Sequence, residues 1–84
     1  MELRFESSGW EDYQYWVKHD KAVLKRLNRV IEDTLRTPTT GIGKPEYLRA
    51  NLSGFMSRRI TDEHRLVYRV GAEYIEIIQC RGHY

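Results

Sequence analysis

The sequence predicts an α+β fold in the order β-α-α-β-β-β, an antiparallel sheet with two N-terminal helices packed on one of its faces. Three observations carry this expectation. Apolar residues recur at intervals of three and four between Trp10 and Leu35, the period changes to two from Leu52 onward, and two short polar connections divide the second half into three strands. With 84 residues, the chain is expected to form a single domain spanning 1–84, with one core and no room for a separate cofactor domain.

Glu2 to Glu6 reads as a short strand with Leu3 and Phe5 on one face. A helix start follows at Ser7-Ser8-Gly9-Trp10-Glu11, where Ser8 is placed to cap and Glu11, three residues on, to reach back to it. Trp10, Tyr13 and Val17 continue at helical spacing, and Trp16 widens the apolar stripe. Asp20 is positioned to cap a second helix. There Val23, Leu24, Leu27, Val30, Ile31 and Leu35 form one buried stripe, opposite an outer face of Lys21, Lys25, Arg26, Arg29, Glu32 and Asp33. Pro38 supplies the stop. Thr37 to Tyr47 holds both prolines, two of the six glycines and three threonines, and reads as a loop. Beyond it, Phe55, Ser57 and Arg59 share one strand face, opposite Met56, Arg58 and Ile60. Thr61-Asp62-Glu63 and Gly71-Ala72-Glu73 make turns, so that Arg65 to Val70 and Tyr74 to Cys80 complete the sheet.

Hydrophobic residues make up 40% and charged residues 31%, the balance of a soluble globular protein. No apolar run approaches the ~20 residues of a membrane span, and the alternating N-terminus lacks the apolar centre of a signal peptide. Cys80, the single cysteine, excludes an internal disulfide and gives no zinc spacing. The expectation is a cytoplasmic protein without a membrane partner. Net charge is only +2, but the fourteen basic residues are ten arginines and four lysines. Residues 1–40 balance seven basic against seven acidic side chains, whereas 41–84 hold seven against five. An arginine-rich second half points to an anionic partner, nucleic acid foremost, because the guanidinium fork suits phosphate.

Gly41-Ile42-Gly43-Lys44 is not a phosphate loop: Pro38 stands where that loop needs glycine, and Pro45 where it needs Ser or Thr. Cys80, His83 and His64 make no metal set, since strand positions three apart point to opposite faces. No Ser, Cys or Thr has a neighbouring base at a recognisable spacing, which leaves covalent nucleophilic catalysis unsupported. What remains is Glu46, Arg49, Arg58, Arg59, Arg65, Arg81, His83 and Tyr84. Singly, each reads as part of a solvated strand face or a chain end. Together they supply the parts for cutting RNA: a carboxylate to take the 2′-hydroxyl proton, arginines to meet the charge on the phosphorane, and an imidazole to protonate the leaving 5′-oxygen.

Three segments, Asn51-Leu52-Ser53-Gly54-Phe55-Met56-Ser57-Arg58-Arg59-Ile60-Thr61, Glu63-His64-Arg65-Leu66-Val67-Tyr68 and Cys80-Arg81-Gly82-His83-Tyr84, closely resemble the YoeB toxins. These are a branch of the RelE/ParE superfamily of bacterial toxin–antitoxin systems. The likeness extends through Trp10-x-x-Tyr13-x-x-Trp16, Asp33-Thr34-x-Arg36-Thr37-Pro38 and Gly43-Lys44-Pro45-Glu46. It implies a RelE-like microbial RNase fold and a ribosome-dependent endoribonuclease that cuts messenger RNA in the A site of the 30S subunit. No metal or cofactor is implied, and the products carry a 2′,3′-cyclic phosphate (or its 3′-phosphate) and a 5′-hydroxyl. By the resemblance Glu46 is the base, Arg65 the transition-state arginine, His83 the acid, and Tyr84 a terminal residue shaping the site. Arg59 matches a substrate-phosphate contact, with Arg49 (where relatives commonly carry Lys) and Lys44 completing the RNA-binding set. Met56 replaces a larger aromatic of close relatives. The implied partners are a YefM-type antitoxin with an acidic tail, operator DNA only through that antitoxin, and a second copy of the chain. Two readings compete: a ParE-like protein-binding inhibitor of gyrase, which lacks the Glu46, Arg65 and His83 combination, and an RNA- or ribosome-binding module that needs neither Glu46 nor His83.

Overall fold

The computed structural model describes residues 1–83. Strand β1 (Glu2–Phe5) leads into helices α1 (Ser7–His19) and α2 (Lys21–Arg36). Then come β2 (Glu46–Tyr47), a single 3-10 turn at Ala50–Leu52, β3 (Met56–Arg59), β4 (Arg65–Val70) and β5 (Tyr74–Gln79). The strands form one sheet in the order β1-β5-β4-β3-β2. Both helices lie on one face, as the apolar stripes require.

The sheet is mixed, where a wholly antiparallel one was expected. The β2-β3-β4-β5 ladder is antiparallel, but β1 pairs parallel to β5, with Leu3 opposite Ile75 and Phe5 opposite Ile77. β1 and β5 come from opposite ends of the chain, so no hairpin dictates their relative sense. The helix that follows β1 sets it instead, by running back across β5 at very close range. A Cβ on Gly9 would lie 2.4 Å from the Ile77 carbonyl oxygen, so only glycine fits at that crossing. The expected Ser8–Glu11 cap also gives way to this packing. Glu6 is the N-cap and makes no side-chain capping bond, while Ser8 Oγ donates to the Ile78 carbonyl at 2.7 Å. Asp20 does cap α2, its Oδ1 accepting from the Ala22 and Val23 amides at 3.1 Å each. β2 lies inside the stretch read as a loop; two residues are too few for a period-two pattern to show.

The core joins Trp16, Leu27, Val30 and Ile31 of the helices to Met56, Ile60, Leu66, Tyr68, Ile75, Ile77 and Cys80. Met56 is 2% exposed within it and acts as packing. In the middle of this apolar layer sits a charge. Arg58 is wholly buried between Met56 and Ile60 on the helix-facing side of β3. Its Nε donates to the Tyr68 hydroxyl (3.1 Å). Its Nη1 donates to Asp33 Oδ2 (2.9 Å) and the Ile42 carbonyl (3.2 Å), and its Nη2 to the carbonyls of Thr37 (2.5 Å) and Thr40 (2.9 Å). A guanidinium has five N–H donors, and all are used. Desolvating such an ion costs several kcal/mol unless its bonds are complete. Asp33, assigned by its helical position to the outer face, is in fact 7% exposed and turned inward to meet this arginine. The 37–47 loop is wrapped around the pair with carbonyls pointing in, the arrangement that suits a cation and not a phosphate.

Replacing Arg58 with leucine strips Asp33 of its buried cation, leaving it only the Ile42 amide and the exposed Arg36, and deprives the Thr37, Thr40 and Ile42 carbonyls of their charged donor. It is expected to cost about 3–5 kcal/mol, in line with breaking a buried ion pair. Urea denaturation reads this as a lower midpoint at unchanged slope; a loss below about 1 kcal/mol, the range of exposed pairs, contradicts the account. The Ile42 amide at 2.9 Å, and after it Arg36 and Arg58, hold the Asp33 carboxyl below its ordinary value. The unfolded chain therefore takes up this proton first as pH falls. Asp33's stabilisation is complete above the ordinary carboxylate value near ~3.9 and is lost as pH falls through the lowered folded one. The stability gap between the natural chain and Asp33→Asn is accordingly expected to close below about pH 4; a gap constant from pH 7 to pH 3 contradicts it.

Candidate functional site

Strand register places the expected residues. Glu46 pairs with Ser57, and Arg59, two residues beyond Ser57, pairs with Arg65. Residues that pair, or that lie two apart on one strand, share a face. Glu46, Arg59 and Arg65 therefore stand together on the face the helices do not cover. Val67 pairs with Gln79, which puts Gln79 on that face too. Glu46 and Arg59 are exposed and Arg65 is half-buried.

Arg59 and Arg65 face each other at the end of the β3–β4 hairpin, and no carboxylate pairs with either among the described residues. Like charges directly opposite in a sheet are destabilising by themselves; an anion between them removes that penalty. Arg65 is built in. Its Nη1 donates to the carbonyls of Thr61 (2.8 Å), Asp62 (3.0 Å) and His64 (3.2 Å), which fixes the guanidinium at the mouth of the turn. Thr61 Oγ1 in turn accepts from the amides of Glu63 and His64, holding that turn in shape. Around Glu46 the backbone is strained. Lys44 (φ 52°) and Ala50 (φ 58°) are the only non-glycine residues with positive φ among those described, and they bracket the segment carrying Glu46. Such conformations cost on the order of 1–3 kcal/mol each and gather at functional sites. Glu46, Tyr47, Leu48 and Arg49 line an open depression of about 710 Å³. Lys44 and Arg49 are exposed on either side of it.

His83 is exposed, and its carbonyl accepts from Gln79 Nε2 at 2.9 Å, so the C-terminal segment is tied to the open face. Tyr84 lies outside the described residues. Two arginines of the sequence-derived set do not join the group. Arg58 is spent inside the core, and Arg81 stacks over the Tyr15 ring of α1 at 3.5 Å. His64 and Cys80, weighed above as metal ligands, are engaged otherwise. His64 Nδ1 accepts from the Gly82 amide (2.8 Å), and the Cys80 thiol is buried against the Gly9 carbonyl (3.6 Å). Sequence reasoning missed Gln79, although it is the one side-chain amide of the last strand.

Over residues 5–84 the sequence matches the family described as the YoeB-like toxin of bacterial type II toxin–antitoxin systems. The chain belongs to that family. It is 54% identical to the toxin YoeB of Escherichia coli K12 across the full length of both. The solved YoeB/ParE toxin from Agrobacterium tumefaciens is 45% identical and superposes with a TM-score of 0.96 over all of both chains. YoeB of Staphylococcus aureus, solved in a heterotetrameric complex with YefM, is 42% identical with a TM-score of 0.91 over all of this chain and 98% of the other. It has also been solved as a dimer, with a TM-score of 0.92 over the same shares. Among the described residues no helix of this YoeB-family chain is long and apolar enough to cross a membrane.

Burial, reinforced by the Asp12 carboxylate, pushes the Cys80 thiol up to about 12. Near pH 8 it then carries roughly a thousandfold less thiolate than an ordinary cysteine of pKa ~8.5. A thiol-disulfide reagent is expected to react with the folded protein at least about a hundredfold more slowly than with the urea-unfolded chain. Equal rates in the two states refute the buried, inert assignment.

Proposed function

We propose that this YoeB-family toxin is a ribosome-dependent endoribonuclease of the bacterial cytoplasm. It cleaves messenger RNA in the 30S A site by metal-independent acid–base transesterification and so stops translation. The observation that carries the reading is the facing Arg59–Arg65 pair beside Glu46 on the open sheet face. Glu46 takes the proton from the 2′-hydroxyl, whose oxygen attacks the adjacent phosphorus. The bond from phosphorus to the 5′-oxygen breaks, and His83 protonates that oxygen. The products are a 2′,3′-cyclic phosphate and a 5′-hydroxyl, with no atom gained or lost. Arg65 meets the negative charge on the phosphorane, a task that rewards a guanidinium already held in place. Arg59, Arg49 and Lys44 contact phosphates of the substrate, and Tyr84 shapes the site.

The S. aureus relative, solved both with YefM and as a dimer, supports the choice of partners: a YefM-type antitoxin and a second copy of the toxin. An acidic antitoxin segment laid over Arg59 and Arg65 occupies the phosphate positions and silences the site. Binding to operator DNA passes through the antitoxin.

Primer extension on a messenger translated by purified ribosomes tests the enzymatic reading. The intact protein is expected to cut within the A-site codon only when ribosomes are present. Glu46→Ala and His83→Ala are each expected to reduce cleavage about tenfold or more, equivalent to ~1.4 kcal/mol or more of barrier. A protein that blocks translation while leaving the messenger intact is a binder, and the catalytic roles then fall.

A further inference from the structure

Beyond β5 the chain no longer follows a regular ladder, yet its polar backbone groups are taken up one by one. The Cys80 amide donates to Asp12 Oδ2 (3.0 Å), and the Cys80 carbonyl accepts from Trp16 Nε1 (2.8 Å). Gly82, at φ 83°, is gripped on both sides: its amide donates to His64 Nδ1 (2.8 Å) and its carbonyl accepts from the Arg65 amide (3.0 Å). Two consecutive residues thus hold both polar groups of one glycine, and the second of them carries the site's anchored guanidinium. The His64 ring is kept in place by the Trp16 indole, which it meets edge-on with centroids 4.7 Å apart. Accepting at Nδ1 puts the proton of the neutral ring on Nε2.

We propose that His64 is a positioning residue for His83. Its Nδ1 fixes the register of the C-terminal segment against Arg65, so that the residue after Gly82 is presented at a set distance from the arginine. The role rests on the ribonuclease reading above and adds a residue to it that does not touch the substrate. An acid must stand within hydrogen-bond reach of the leaving oxygen to be of use. The Gln79 bond fixes only the His83 carbonyl, and the strand ladder ends before this segment. Without the His64 acceptor, Gly82 keeps only its carbonyl bond and can swing about it.

Two substitutions separate the acceptor from the ring. His64→Phe keeps an aromatic ring against Trp16 and removes the acceptor. His64→Asn removes the ring and leaves a side-chain oxygen close to the place of Nδ1. Each variant is read twice, by hydrogen exchange of the Gly82 amide and by single-turnover cleavage on programmed ribosomes across enzyme concentrations. His64→Phe is expected to speed Gly82 exchange about tenfold and to lower the maximal cleavage rate about tenfold or more, with half-saturation changed less than about twofold, while His64→Asn recovers most of both. Recovery by asparagine is an outcome that a purely packing role does not produce. The proposal is overturned if phenylalanine is as protected and as active as the natural chain, if it loses protection but not rate, or if asparagine fails as badly as phenylalanine. An intact protein that leaves the messenger uncut overturns the ribonuclease reading and the acid-positioning role with it. A cleaving protein indifferent to His64→Phe overturns the positioning role alone.

Discussion

The fold depends on one saturated guanidinium. Arg58 brings together α2 through Asp33, β4 through Tyr68 and the 37–47 loop through three carbonyls, so four separate stretches of chain meet at its side chain. Apolar residues in place of both Arg58 and Asp33 would bury similar volume without the desolvation cost, and buried ion pairs often give no net stability over such joint replacements. What the arginine adds is definition. An apolar side chain is satisfied by many loop conformations, whereas five N–H donors accept few. The Tyr68 hydroxyl completes the arrangement by donating to the Pro38 carbonyl at 2.8 Å, and burial raises that phenol's pKa, which keeps it a donor. The loop that leads into Glu46 is therefore shaped from inside the core.

This constraint reaches the candidate site through strand parity. β3 turns Arg58 inward and its neighbour Arg59 outward, so the network that holds the one sets the height and direction of the other. The Arg59 amide also donates to the Gly43 carbonyl at 2.6 Å, binding the strand to the same loop. The two adjacent arginines divide the work, with one consuming every donor internally and the other leaving its guanidinium to solvent. Sites supported by strands and a second layer of hydrogen bonds hold their geometry better than sites on loops alone. Glu46 gains this support by lying on a two-residue edge strand instead of in the open loop expected for it.

Much of this was legible in the sequence. The α2 stripe, the Asp20 cap and the change of period at Leu52 each had a local cause, and local causes can be read from residues. The alternation Met56-x-Arg58-x-Ile60 already put Arg58 on the apolar side. Treating it as one of a catalytic set overlooked that its flanking neighbours, not its charge, decide its face. Asp33 was misplaced for a related reason, since its helical position is peripheral and only a buried cation makes turning inward favourable. The parallel β1–β5 pairing left no mark, because contacts between chain ends depend on how α1 crosses the sheet. The resemblance to the YoeB toxins supplied the candidate site residues, but the contacts around them, those of Gln79 and Gly82, follow from tertiary geometry alone.

The site divides into a firm half and a softer one. Arg65 opens a central strand, paired with Arg59 on one side and followed by Leu66, which is completely buried. Moving it requires parting the end of the β3–β4 ladder and the turn whose carbonyls hold its guanidinium. The His83 segment is held by a few single bonds, two to the side chains of Gln79 and His64 and one from the Arg65 amide, each worth about 0.5–1.5 kcal/mol net. The arginine proposed to stabilise charge is thus placed by the fold, whereas the proposed proton donor is placed by a few individual contacts. Substitutions around the C-terminal segment should affect proton transfer well before they affect folding. In a site built this way, the position of the proposed acid is the quantity most easily tuned by small changes in sequence.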